Sequence, residues 1–268
     1  MKIDTSTYYP EALLPEDPDE ERKESEMQAV KPEDSDREEE EKKQEQKAAE
    51  IRGDYEPSSG SEGERIADGI STFLSWALVP LMMPVYGILL AFNLSILAFT
   101  PFASKLVFTL ITIAFNLAVP ALLVYLLKRI GVVQDIGLNG QKERLIPYIV
   151  TILCMGGTGL FMWYKEAPMW LVMFFLGGAV AGLVNMLVNF RWKISAHAAG
   201  IAGIVALMIR IIRDGFPQTG AFTWLLVTII LAGLLGSARV WLGRHTVWQV
   251  IAGYAVGFLS VILMTLIR

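Results

Sequence analysis

Seven long apolar stretches follow one another between residues 67 and 268 of this 268-residue chain. A helix needs about 20 mostly apolar residues to cross the hydrocarbon core of a bilayer. Backbone groups inside lipid must pair within their own segment, which favours helices over strands. We therefore predict an all-α, polytopic transmembrane helical bundle with six or seven spans. The stretches are Ile70–Phe99, Leu106–Leu127, Tyr148–Tyr164, Met169–Asn189, Ala198–Ile212, Phe222–Leu242 and Gln249–Ile267.

Two of these stretches depart from a simple span. Pro80 and Pro84 interrupt the first one, and proline removes a helical hydrogen bond, so we expect a kinked or tilted helix there. Ala198–Ile212 is short for a crossing. We expect its helix to extend backward over 194–197 to reach a full span.

Charge is divided unequally along the chain. Residues 1–66 hold 22 acidic against 10 basic side chains, a net charge of −12, whereas residues 67–268 hold 5 against 13, a net charge of +8. The first segment cannot bury enough apolar surface to offset the entropy of ordering it. The second has too few polar residues for a water-soluble surface, which excludes a soluble enzyme. We predict a disordered acidic tail over 1–66 and a transmembrane domain over 67–268.

Cysteine content excludes a further class of protein. Cys154 is the only cysteine of the chain and has no partner for a disulfide. A secreted scaffold held together by disulfides is therefore excluded.

The polar residues of the transmembrane domain gather at one predicted membrane face. With seven spans, the loops that contain His197 and His245, the only two histidines, lie on the same side. Five cations share this face: Lys142, Arg144, Lys193, Arg239 and Arg244. Because only Asp135 and Glu143 are available there to neutralise them, an anionic ligand is the simplest counter-charge.

Some cations near helix ends have an ordinary explanation. Lys128, Arg129 and Arg191 are typical of side chains that extend to the membrane surface or mark a cytoplasmic face. A single histidine at a helix end is usually a structural residue. Two histidines, each within a few residues of Arg or Lys on one face, favour a functional site.

Each of the two histidines lies in its own short sequence fragment. Ser195 and His197 stand where an apolar helix begins, and a helix N-terminus offers free N–H groups to a phosphate. Arg239 precedes His245 by six residues, and Gln249 follows it by four. A spacing of four places His245 and Gln249 on one face if the segment is helical.

These fragments resemble the membrane-embedded type 2 phosphatidic acid phosphatases, or lipid phosphate phosphatases, relatives of the vanadium haloperoxidases. That family's pattern is Lys-x6-Arg-Pro, then Pro-Ser-Gly-His, then Ser-Arg-x5-His-x3-Asp. The second element occurs here as Ile194-Ser195-Ala196-His197, and the third runs from Ala238-Arg239 to Gln249. The first element is weak, because Arg144 is followed by proline only at Pro147 and Lys142 is a substitute for the family lysine.

The resemblance implies a role for each matching position. His245 would be the nucleophile that attacks phosphorus and forms a phosphohistidine, and His197 the general acid that protonates the leaving group. Ser195 would hydrogen-bond a phosphate oxygen. The cations that would hold the phosphate are Arg239, Arg144 and Lys142. The resemblance implies no cofactor and no metal.

One position departs from the family in its chemistry. Gln249 stands where the family has Asp. An amide oxygen accepts the same hydrogen bond from an imidazole as a carboxylate does, but it contributes no full charge. We therefore expect a slower enzyme or a shifted pH optimum, and a non-catalytic relative stays open.

Taken together, these features predict a metal-independent lipid phosphate phosphatase. Its substrate would be a phosphomonoester or diphosphate, such as phosphatidic acid or an isoprenyl diphosphate. The alternative is a non-catalytic phosphate- or lipid-binding protein on the same scaffold, and a transporter ranks below both. We expect a multi-pass protein of the inner or plasma membrane, in contact with membrane lipids and with no nucleic-acid partner.

Overall fold

The computed structural model describes residues 62–131, 145–214 and 218–267, and every regular element within these ranges is helical. The predicted all-α fold class is thereby confirmed. In chain order the α-helices are α1 Glu62–Ala77, α2 Met83–Leu94, α3 Phe102–Ile113, α4 Val119–Arg129, α5 Leu145–Tyr164, α6 Met169–Asn189, α7 Ala196–Arg213, α8 Ala221–Trp241 and α9 Val247–Thr265.

Six helices of the described ranges are long and apolar enough to cross a membrane. Five of them are α5 to α9. The sixth is the continuous helix Phe102–Arg129, in which a π-helical turn at Ala114–Ala118 joins α3 to α4. Counting the bent pair α1 and α2 as one span gives seven. The chain is therefore a multi-pass membrane protein, as its seven apolar stretches predict.

The first span is broken where the prolines indicate. Helix α1 ends at Ala77, Val79 is extended with φ −62° and ψ 143°, and a 3-10 turn over Pro80–Met82 leads into α2. The two helical segments meet at an angle of 42°. Pro80 has no N–H and disfavours a helical conformation at the residue before it, which explains why the helix stops at this point.

Helix α1 begins earlier than the charge pattern suggests. It starts at Glu62, so residues 62–66 are helical, although they fall within the predicted disordered tail of residues 1–66. Glu62 and Glu64 lie in its first turn, where negative charge interacts favourably with the helix dipole. The remainder of that predicted tail lies outside the described residues.

Helix α7 is the most buried of the spans, since 56% of its 18-residue apolar segment lies inside the protein. It begins at Ala196 with Ser195 as its N-cap, so the predicted backward extension reaches residue 196 and does not include Ile194. The helix packs most closely against α9. A Cβ added at Gly257 of α9 would lie 1.9 Å from the carbonyl oxygen of Ala199, so only glycine permits this approach.

Buried polar contacts connect other parts of the bundle. Asn116, in the π-helical turn, donates from Nδ2 to Oγ1 of Thr158 in α5 at 2.8 Å. At the end of α7, Arg210 donates from Nε to the carbonyl oxygen of Thr265 at 2.9 Å and pairs with Asp214 at 2.7 Å. Arg210 thereby caps the last turn of α9, at the opposite end of α7 from Ser195.

Candidate functional site

Ser195 forms the turn that starts α7. Its backbone is extended, with φ −86° and ψ 105°, and its Oγ accepts a hydrogen bond from the N–H of Ala198 at 3.4 Å. Serine is a preferred N-cap because its oxygen satisfies one of the unpaired donors of the first turn. The side chain is fully buried, with 0% exposure. The Ser-x-His sequence therefore places a hydroxyl and an imidazole at a helix N-terminus, as predicted.

A second turn, between α8 and α9, brings Arg239 next to His245. The carbonyl oxygen of Arg239 accepts from the N–H groups of Arg244 at 3.1 Å and of His245 at 3.2 Å. Gly243, with φ +62°, takes the left-handed conformation that this reversal requires. The six-residue spacing between Arg239 and His245 thus corresponds to the hydrogen-bonded turn that ends α8.

His245 is held by the residue four positions later. Its Nδ1 lies 3.1 Å from Oε1 of Gln249, and only 7% of the residue is exposed. An amide oxygen can only accept, so Nδ1 donates, and in the neutral form of the ring this leaves the lone pair on Nε2. A lone pair on an oriented imidazole is what a nucleophilic histidine needs.

Gln249 has a second role in the same turn. Thr246 is the N-cap of α9, and its Oγ1 accepts from the N–H of Gln249 at 3.4 Å, while Oε1 of Gln249 accepts from the N–H of Thr246 at 3.2 Å. These reciprocal bonds form a capping box. The same oxygen therefore fixes the helix start and the ring of His245.

A main-chain hydrogen bond joins the two turns. The N–H of Ser195 donates to the carbonyl oxygen of Gln249 at 3.2 Å. Gly253, one turn further along α9, has no side chain where the Ser195 carbonyl passes, and a Cβ there would lie 2.5 Å from that oxygen. The second and third sequence fragments therefore meet at one end of the bundle, and both histidines lie at that end.

His197 points to a part of the chain that sequence reasoning missed. Its Nε2 lies 3.1 Å from the main-chain oxygen of Ser75, in the last turn of α1. A carbonyl oxygen only accepts, so Nε2 carries a proton. No motif marks Ser75, although the proline at position 80 signals that carbonyls of the preceding turn lack helical partners.

The predicted cations fall into two groups. Arg239 is half-buried in the last turn of α8, next to the His245 turn. Lys142 and Arg144 lie outside the described residues. No group of three or more His, Cys, Asp or Glu side chains that could hold a metal ion occurs within residues 62–131, 145–214 and 218–267.

Comparison with known proteins identifies one family. The family model described as the PAP2 superfamily matches residues 146–268, just under half of the chain. No curated protein and no solved structure matches. The matched segment contains both histidine turns, but it contains neither α1 nor the segment with Lys142 and Arg144. This match confirms the resemblance to the family, whereas the roles of the individual site residues stay predictions.

Proposed function

We propose that the protein is a membrane lipid phosphatase, because residues 146–268 match the family model of the PAP2 superfamily, whose members are generally phosphatases. It hydrolyses a phosphomonoester or diphosphate through a phosphohistidine intermediate. The observation that carries the proposal is the hydrogen bond between Ser195 and Gln249, because it brings two chemically distinct turns together at one helix-bundle end.

In the proposed reaction His245 is the nucleophile. Its Nε2 lone pair forms a bond to phosphorus as the phosphorus–oxygen bond to the lipid breaks, and the electrons of that bond pass to the leaving oxygen. The contact of Nδ1 with Gln249 supports this role because it holds the ring in the tautomer that leaves Nε2 unprotonated. His197, at the start of the adjacent helix, supplies the proton that the leaving oxygen requires.

In the proposed site, hydrogen-bond donors at the helix N-termini and the cations near them bind the phosphate. The proposal assigns this role to Arg239 and Ser195, with Lys142 and Arg144 assigned from sequence alone. A phosphoryl-transfer transition state gains mainly from positioning and from positive charge near its equatorial oxygens. A buried turn beside a half-buried arginine suits that requirement. The proposal uses no metal ion.

The position of the turns supports a lipid substrate. They lie at one end of a bundle whose outward surface is apolar along its length, and large hydrophobic side chains are exposed on every spanning helix except α7. A phosphate head group can therefore reach the turns while its acyl or prenyl tails stay in the bilayer. Phosphatidic acid and isoprenyl diphosphates both fit this description.

Phosphate release in detergent tests the proposal. Wild-type protein should release phosphate from phosphatidic acid or an isoprenyl diphosphate, and His245→Ala should lower kcat by about 10⁴-fold or more, as for other lost nucleophiles. Trp248→Phe is the matched control, since Trp248 follows closely in the chain and is 72% exposed. Quenched wild-type enzyme should also carry phosphate in an acid-labile, alkali-stable bond. Activity that survives His245→Ala would remove the proposal.

A non-catalytic lipid- or phosphate-binding protein is the second candidate, and Gln249 is the observation that favours it. The amide stabilises the orientation of His245 but not the charge that develops on it. Gln249→Asp separates the two candidates. A large gain in rate indicates an enzyme slowed by the amide, whereas binding without turnover in both forms indicates a binding protein.

A further inference from the structure

Helix α1 presents its polar side to the rest of the bundle. Ser71 is 8% exposed, and the side chains of Asp68 and Ser75, on the same helical face, are half-buried. The opposite face carries large exposed apolar side chains: Ile66, Ile70, Phe73 and Trp76. This is the reverse of a helix on a soluble protein, and it suits a helix with lipid outside and a polar site inside.

The inner face of α1 is attached at two points to elements that carry the site. Nε1 of Trp241, two residues after Arg239 in α8, donates to Oδ1 of Asp68 at 2.8 Å. The main-chain oxygen of Ser75 meets Nε2 of His197 at 3.1 Å. The two attachment residues lie seven apart, about 10 Å along the helix axis. Helix α1 thus runs from the Arg239 turn to the first turn of α7.

The break in the first span makes the Ser75 oxygen available. In an uninterrupted helix this oxygen would accept from the N–H of Val79, but the helix ends at Ala77, ahead of Val79 and Pro80. The freed carbonyl of Ala77 is bound by the hydroxyl of Tyr86 at 2.7 Å. The freed carbonyl of Ser75 is bound by the imidazole of His197.

We propose that Ser75 is a positioning residue for His197, and that His197 transfers its proton through Nδ1. This proposal rests on the proposed phosphatase function. The two rings of the site then have opposite tautomers. His245 donates from Nδ1 to Gln249 and reacts through Nε2, whereas His197 donates from Nε2 to Ser75 and reacts through Nδ1.

In this arrangement His197 gives up one proton in the first step of the reaction and regains one in the second. When Nε2 of His245 attacks phosphorus, the Nδ1 proton of the His197 imidazolium passes to the leaving alkoxide oxygen, and His197 becomes neutral. In the second step the oxygen of a water molecule bonds to phosphorus, the bond between phosphorus and Nε2 of His245 breaks, and its electrons return to Nε2. Nδ1 of His197 takes a proton from that water, which restores the imidazolium. The other ring proton stays on Nε2 of His197 throughout and is donated to the Ser75 oxygen. The carbonyls at the C-terminal end of α1 also favour the positive charge on the ring.

Nitrogen-15 NMR of the full chain in detergent tests the tautomer directly. The protein has two histidines, so His245→Gln leaves His197 as the only labelled ring. At about pH 9, where imidazoles are ordinarily neutral, the spectrum should show His197 protonated at Nε2. The complementary His197→Gln variant should show His245 protonated at Nδ1. A His197 ring protonated at Nδ1 would overturn the proposal.

A kinetic comparison tests the positioning role. Pro80→Ala removes the proline that ends the helix, so the helix can continue through residues 78–80 and the N–H of Val79 then competes for the Ser75 oxygen. We expect kcat for phosphatidic acid to fall about tenfold or more, since its alkoxide needs an acid, and kcat for p-nitrophenyl phosphate to change less than about twofold. Pro84→Ala, in the first turn of α2, is the matched control and should change neither.

The outcomes of this comparison are distinct. Equal losses on both substrates, or no loss on either, would contradict a role for Ser75 in proton transfer. A wild-type protein that releases no phosphate from either substrate would contradict the proposed function instead. The NMR result would then still decide whether Ser75 fixes the His197 ring.

Discussion

Substituting Gly253 by alanine should damage the site through the contact between α7 and α9. The added Cβ would lie 2.5 Å from the Ser195 carbonyl oxygen and 2.9 Å from Cβ of Ala198. Non-bonded atoms normally rest about 3.5–4.0 Å apart, so the two helix starts must separate by about 1 Å. The hydrogen bond from Ser195 to Gln249, already 3.2 Å long, then weakens or breaks.

A shift of this size has a measurable cost. Overpacking typically lowers stability by about 1–3 kcal/mol, and a displacement of about 1 Å in an active site can lower the rate by about 10²-fold. The assays are thermal unfolding in detergent and release of phosphate from phosphatidic acid. Gly257→Ala, whose Cβ would lie 1.9 Å from the Ala199 oxygen, should cost more in both assays.

The control for this prediction is a glycine with space around it. Gly233 in α8 has no atom within 4 Å of its added Cβ, so Gly233→Ala should leave activity unchanged and should not destabilise the helix. If Gly253→Ala retained full activity and stability, the contact between α7 and α9 would be looser than the structure describes. Equal damage from Gly233→Ala and Gly253→Ala would contradict the steric reasoning itself.

Three further predictions concern contacts away from that helix pair. Arg210→Ala removes the cap from Thr265 and should lower stability by about 1–3 kcal/mol with little change in KM, measured by thermal unfolding and phosphate release. Trp241→Phe removes the hydrogen bond that docks α1 and should increase proteolysis of α1 and lower kcat. A double-mutant cycle of Asn116→Ala and Thr158→Val should give a coupling of about 0.6–1.7 kcal/mol, and additive effects would contradict their hydrogen bond.

Much of the architecture could be predicted because a bilayer limits the choices. A spanning helix must be about 20 residues long and mostly apolar, so six of the seven stretches fall on single spanning helices and the first falls on the bent pair α1 and α2. The serine before an apolar helix likewise predicts an N-cap, and Ser195 is one. Local rules were sufficient for both features.

The role of Gln249 in capping α9 could be predicted from the sequence, although comparison with the family draws attention to its missing charge instead. Thr246 and Gln249 form the Thr-x-x-Gln pattern of a capping box, and this pattern can be read without a structure. Compared only with the aspartate of the family, Gln249 stands out as a loss of charge. The structure adds that its oxygen serves two donors.

The contact between Ser75 and His197 could not be predicted from the sequence. The two residues are 122 positions apart, and one partner is a main-chain oxygen that any residue type would provide. Pro80 indicates only that carbonyls become available near the helix end, and not which side chain takes them. The angle between the two parts of the first span decides that, and this angle depends on how α1 packs against α8 and α2 against α7.

In the proposed site, the groups that orient the two histidines carry no full charge. His245 is held by an amide oxygen, and His197 by a main-chain oxygen at the end of a helix. A carboxylate would stabilise an imidazolium by charge as well as by orientation. In its absence His245 gains orientation only, which favours the neutral nucleophile before attack and offers less stabilisation after it. An aspartate at position 249 should therefore mainly accelerate formation of the phosphohistidine, and burst kinetics with phosphatidic acid would detect that change.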